Sequence, residues 1–119
     1  MLRNKGPIDL IHLEKYVAGD DALRAEIFTI FNDQAVLLYS QFSNQHTDDA
    51  WWNIAHALKG ASRGIGAWVL GDLCEDAEGL VGEVPGKAEK RSIVLISIRQ
   101  QISEIAVESD RVRSLGECV

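Results

Sequence analysis

Two prolines, Pro7 and Pro85, are all that a chain of 119 residues contains, and the apolar residues between them recur at helical spacing. That pattern predicts long helices rather than many short strands. Residues 1–7 are polar and end in Gly6-Pro7, which predicts a tail. Ile8, Ile11, Leu13 and Val17 then mark a short helix, stopped by Gly19-Asp20-Asp21, where Asp20 or Asp21 suits an N-cap. Leu23, Ile27, Ile30, Phe31, Leu38 and Phe42 predict a helix over about 21–43. After the polar stretch Ser43–Asp48, whose last residue is a second cap candidate, another helix is predicted from Asp49 to Gly64. Gly64 and Gly66 mark a bend. A further helix is expected from Ala67 to about Val81, with Leu70, Leu73, Cys74, Ala77 and Leu80 on one stripe. Gly82-Glu83-Val84-Pro85-Gly86 is a strong turn, and the last helix is expected over about 87–112, with Val94, Leu95, Ile98, Ile102 and Ile105 inward. Ser92–Ile98 is rich in β-branched residues and reads as a strand in isolation. The apolar spacing continues through Ile102 and Ile105 without a turn signal, which favours helix. The expected fold is all-α: an antiparallel up-down four-helix bundle with a short extra N-terminal helix. Its domain is expected over 8–114, with tails at 1–7 and 115–119.

Charge and apolar content narrow the function classes. Twelve Lys and Arg against eighteen Asp and Glu give a net charge of −6, which argues against nucleic acid or an anionic membrane as the main partner. No apolar run approaches the ~20 residues of a membrane span. The N-terminus carries no apolar stretch with a cleavage site, so no signal peptide is expected. Cys74 and Cys118 lack CxxC spacing, consistent with free thiols in a reducing, cytoplasmic setting. Cys74 reads as a small core residue and Cys118 as an exposed tail residue. His12, His46 and Cys74 have no metal-ligand spacing, so no metal is expected. The acidic group Glu75, Asp76 and Glu78 reads as a solvated helix face.

The predicted second bundle helix carries an anomaly. With about 100° per residue, Asp49, Trp52, Asn53, Lys59, Gly60 and Arg63 fall within about 60° of His56. Trp51, Ile54, Leu58, Ala61 and Ile65 collect on the opposite face as the expected core stripe. His56 therefore centres a polar face, with cations one and two turns on. Glycine inside a helix costs roughly 0.5–1 kcal/mol relative to alanine, so Gly60 calls for a reason. Access is one: with no side chain at i+4, another molecule can approach the imidazole. A close helix–helix contact is the other. Lys59 and Arg63 can reach an anion attached to the ring. An ordinary imidazole, with a pKa of about 6.5, is largely a neutral nucleophile near neutral pH. An exposed ring nitrogen, nearby cations and steric room suit acceptance of a phosphoryl group. Trp52 is read either as part of an apolar docking patch or as a residue partly covered by the N-terminal segment.

His56-Ala57-Leu58-Lys59-Gly60-Ala61-Ser62 resembles the H-x-L-K-G-x-[SA] signature of histidine phosphotransfer domains of two-component phosphorelays. The resemblance continues through Ile65-Gly66-Ala67, Leu70, Cys74 and Glu78 and spans about residues 8–110. It implies a four-helix bundle whose exposed histidine accepts a phosphoryl group from one receiver-domain aspartate and passes it to another. His56 would be the phosphoacceptor, Lys59 would hold phosphoryl oxygens, and Gly60 would clear the approach. Arg63 and the pair Trp51-Trp52 are not fixed in the family, and the assignment of Trp52, Asn53 and Arg63 to the binding face rests on the helical wheel. The implied partners are response-regulator receivers or those of hybrid histidine kinases, with Mg²⁺ on the receiver and no cofactor on this chain. No phosphate loop for ATP is present, so a carrier without kinase activity is expected. A monomer is the default, and the short tails favour a free-standing protein over a piece of a hybrid kinase. The rival reading is a non-catalytic adaptor that keeps the bundle and binds receivers without carrying phosphate.

Overall fold

The computed structural model describes residues 6–117; residues 1–5 of the expected N-terminal tail and Cys118 lie outside the described residues. Five helices follow one another: α1 (Leu10–Val17), α2 (Asp21–Ser40), α3 (Asp48–Gly64), α4 (Trp68–Glu78) and α5 (Lys87–Glu117). No strand occurs among the described residues, and Ser92–Ile98 is helical throughout. Each of the first three helices opens on a side-chain cap, which satisfies an amide that the helix itself leaves unpaired. Asp9 accepts from the His12 amide at 3.2 Å, Asp20 from Leu23 at 2.9 Å, and Thr47 from Ala50 at 3.2 Å. Thr47, not Asp48, therefore caps α3, and the Asp48 carboxylate is left for other partners.

Three helix ends differ from the sequence expectation. Helix α2 stops at Ser40, where the Gln41 amide turns back to Leu38, and α4 stops at Glu78, where the Gly79 amide bonds to Asp76. Helix α5 continues past Val112 to Glu117, since no breaker intervenes before Gly116.

Helices α2, α3, α4 and α5 pack in chain order, α5 closes the ring on α2, and α1 rests against α2. The centre is filled by Phe28, Phe31, Ala35, Trp51, Ala55, Leu58, Leu70, Cys74, Ile98 and Ile105. The buried stripes are rotated from those the spacing predicts. In α2, Leu23 and Ile30 point outward while Phe28 and Phe31 are buried. That helix is apolar around much of its circumference, and the aromatic pair offers the larger area to remove from water. In α1, Ile11 is exposed, whereas Leu13 and Val17 are buried.

At the α3–α4 bend the backbone of Gly66 has φ of +83°, and a β-carbon there would meet the Asp9 carbonyl at 3.0 Å. The Asp9 amide donates to the Gly66 carbonyl at 2.8 Å, and the Trp68 indole donates to Asp9 Oδ2 at 2.9 Å. Only glycine tolerates both the left-handed backbone and this close crossing. The bend thereby seats the start of α1 and sets α4 alongside α3.

Candidate functional site

The rotation of α3 decides the site. Its buried residues are Trp51, Ala55, Leu58 and Ser62. Ile54 and Ala61, expected in the middle of the core stripe, sit at its edge as half-buried residues. Ala55 and Ser62 fill the centre instead. Ser62 can do so because its hydroxyl donates to the Leu58 carbonyl at 2.7 Å, leaving no bare polar group. The turn of the stripe moves Lys59 from the open face to the seam between α3 and α4, while His56 stays outside.

His56 keeps 55% of its side-chain surface exposed. Its Nδ1 lies 2.7 Å from Glu78 Oε2 on α4, and Lys59 Nζ donates to Glu78 Oε1 at 2.7 Å. Glu78 is only 11% exposed and Lys59 17%, so one carboxylate in the seam serves a cation with one oxygen and the histidine with the other. Burial pushes the Glu78 carboxyl up, but the hydrogen bonds from Lys59 and His56 outweigh it and hold the group below its ordinary 4.5. Near neutral pH Glu78 is therefore a carboxylate, which can only accept. In the neutral imidazole the proton must then reside on Nδ1, which leaves the Nε2 lone pair free and pointing away from Glu78.

The opposite constraint comes from one turn back. The Trp52 indole stacks on the imidazole with ring centroids 4.4 Å apart and planes 11° apart, and stays 39% exposed. Asn53 is exposed on the same face. A β-carbon at Gly60 would meet nothing within 4 Å, so no helix–helix contact in the fold accounts for the glycine. Arg63 is drawn aside. Its guanidinium donates to Glu75 at 3.1 Å and to Asp72 at 3.4 Å on α4, and its stem lies over Gly71. Its charge ties α3 to α4 beyond the histidine.

Glu78, one of the residues that carry the family resemblance, was expected with Glu75 and Asp76 on a solvated helix face and was given no part in the site. A signal existed: with Leu70 and Cys74 it continues an i, i+4 series down the buried stripe of α4. A carboxylate where an apolar residue should stand is a reason to look for partners. Cys74 itself is fully buried, and burial pushes its thiol up to about 12, so it packs as an apolar residue. His12 and His46 are used locally. His12 meets Trp68 edge-to-face, and His46 Nε2 lies 2.6 Å from the Gln41 carbonyl. Among the described residues no group of three His, Cys, Asp or Glu side chains converges to hold a metal ion.

The depressed Glu78 carboxyl predicts a pH effect. The folded chain resists protonating Glu78 more than the unfolded chain does, so its contribution is complete above pH 4.5 and is lost as pH falls through the lower native value. Urea unfolding of wild type and Glu78→Gln between pH 3 and 6 should show the wild-type advantage shrinking on acidification. A difference independent of pH would contradict this assignment.

No protein-family model and no curated protein matches the sequence. Among solved structures the fold is similar to the histidine phosphotransferase ShpA from Caulobacter crescentus. The TM-score is 0.62 and the identity 33%, over 92% of this chain and 99% of that one.

Proposed function

This chain belongs to the histidine phosphotransferase family, and from that premise we propose that His56 is its phosphoacceptor, taking a phosphoryl group from the aspartate of one receiver domain and yielding it to another. The observation that carries this reading is the imidazole itself: Nδ1 occupied by a largely covered carboxylate, Nε2 on an exposed face. The Nε2 lone pair attacks the phosphorus of the aspartyl phosphate in line. The N–P bond forms as the acyl O–P bond breaks, and the electron pair leaves on the receiver's carboxylate. The ring keeps its Nδ1 proton and becomes cationic, and Glu78 stands 2.7 Å away to balance that charge. No proton has to be removed, so the reaction needs positioning and charge neutralisation more than acid–base chemistry.

Lys59 has a double part in this scheme. It keeps Glu78 ionised, and its remaining N–H directions offer positive charge to phosphoryl oxygens. Gly60 leaves room for the receiver's loops, which bring the Mg²⁺, while Asn53 lies on the contact face. Arg63 has its guanidinium on Glu75 and Asp72, which favours a helix-pairing part over phosphate binding. The carrier reading includes a monomeric, cytoplasmic protein without kinase activity. Among the described residues no helix is long and apolar enough to cross a membrane.

Incubation of the full chain with phosphorylated receiver domains and Mg²⁺ tests the proposal. The expected product is a label on this chain that is acid-labile and base-stable, as a P–N bond requires. Tight receiver binding without transfer from any donor would instead favour the adaptor. Gly60 supplies a second test with two opposite signs. Gly60→Ala should stabilise the chain by about 0.5–1 kcal/mol in urea unfolding, since a methyl group meets nothing in the fold. Gly60→Leu should slow transfer by about a hundredfold, because a displacement of about 1 Å at the reacting atoms suffices for that loss. Transfer at the wild-type rate in Gly60→Leu would remove the access argument.

A further inference from the structure

Trp52 has no structural task that explains it. Its neighbour Trp51 is fully buried and donates from its indole to the Ala77 carbonyl at 2.7 Å. Trp52 stands outside the buried core, on the exposed face, and the ring it lies against is that of His56, stacked nearly parallel with centroids 4.4 Å apart. We propose that Trp52 is a positioning residue for the phosphorylated imidazole: its π-face holds the ring in the plane that Glu78 requires, and it favours the ring in its cationic, phosphorylated form. The inference rests on His56 being the phosphoacceptor.

The geometry allows this without obstruction. The Nε2 lone pair lies in the plane of the imidazole, so a partner stacked on the face does not block in-line attack. Glu78 holds the ring at its Nδ1 edge. The stacked indole supports the ring on its face. When the N–P bond forms, the acyl O–P bond breaks and its electron pair stays on the receiver's carboxylate. The ring keeps its Nδ1 proton and gains a positive charge. A cation within about 6 Å of an indole centroid is stabilised by the ring quadrupole, most strongly by Trp and less by Phe. The neutral ring gains little from that term. Trp52 thus discriminates between the two states of His56, which a docking residue does not do.

Two measurements decide the matter. The full chain and its Trp52→Leu and Trp52→Phe variants, each checked for folding by circular dichroism and thermal melting, are labelled at His56 with phosphoramidate. The decay of the phosphohistidine is followed by ³¹P NMR at neutral pH. Loss of the cation–π contact should shorten the lifetime by about two- to fivefold in Trp52→Leu, with Trp52→Phe between the two. The second measurement takes a receiver domain that exchanges phosphoryl groups with wild type and reads the final partition between the two proteins. Docking affinity speeds both directions alike and cannot move that partition, whereas stabilisation of the phosphorylated ring must. A shift of about two- to fivefold toward the receiver in Trp52→Leu is expected. An unchanged lifetime and partition in a folded Trp52→Leu protein would overturn the proposal and leave Trp52 as a docking residue. Absence of exchange with every receiver would count against the phosphocarrier reading instead, and the phosphoramidate lifetimes would still decide the part of Trp52.

Discussion

Replacing His56 by glutamine is expected to remove phosphoryl acceptance altogether. Glutamine keeps an N–H that can reach Glu78 but has no lone pair on nitrogen that can attack phosphorus. The loss should therefore be complete to the detection limit of a labelled transfer assay. The fold should hardly notice. The imidazole is 55% exposed, and Lys59 still holds the Glu78 carboxylate. Urea unfolding should place His56→Gln within about 0.5 kcal/mol of wild type, as for most exposed substitutions. Receiver binding should persist, since the contact surface is intact. Together these outcomes separate chemistry from stability and docking. Acid-labile label on His56→Gln would place the acceptor elsewhere, and His12 and His46 would be the residues to examine.

The second large effect lies away from the site. Arg91 is 1% exposed, and its guanidinium uses every nitrogen. Nε and Nη2 donate to the Leu80 carbonyl at 2.9 and 2.8 Å, Nη1 to the His46 carbonyl at 2.8 Å, and Nη2 also to Asp48 at 2.8 Å. Its planar group also lies 4.5 Å from the Trp51 ring. One side chain thus ties α5 to the loop before α3 and to the chain just past α4. Arg91→Ala takes the donors from the Leu80 and His46 carbonyls, leaves Asp48 to Lys87 and the Gly82 amide, and opens a cavity beside Trp51. The expected cost is about 2–4 kcal/mol in urea unfolding, with a melting temperature lower by on the order of 10–15 °C. Lysine should not rescue it, because an ammonium on a single stem lacks the planar fork that reaches three places at once. Arg91→Lys at wild-type stability would show that charge alone is sufficient.

Those two residues mark how far a reading of the chain reaches. His56 could be singled out because its signal is local: an imidazole on a polar helix face, with Lys59 and Gly60 at i+3 and i+4. Arg91 could not, since it stands among Lys87, Lys90 and other charges at the start of α5, where an arginine is ordinarily solvated. Its partners are 11 to 45 residues away in the chain. Glu78 lay between these cases, visible as a carboxylate on a buried stripe but assigned a partner only by the packing of α4 on α3. The core stripes follow the same logic. Periodicity predicted five helical segments with nearly correct ends, but it favoured Ile54 and Ile30 where the fold buries Ala55 and Phe28.

Order along the chain, then, was enough to specify helices, their breaks and the candidate histidine, because spacing, caps and glycines act over a few residues and carry their own energetics. Which side of each helix faces inward, and so which carboxylate meets the imidazole and which arginine is buried, was settled only when the helices packed. Those choices depend on filling a shared volume and pairing distant polar groups, and neither is a property of any short segment.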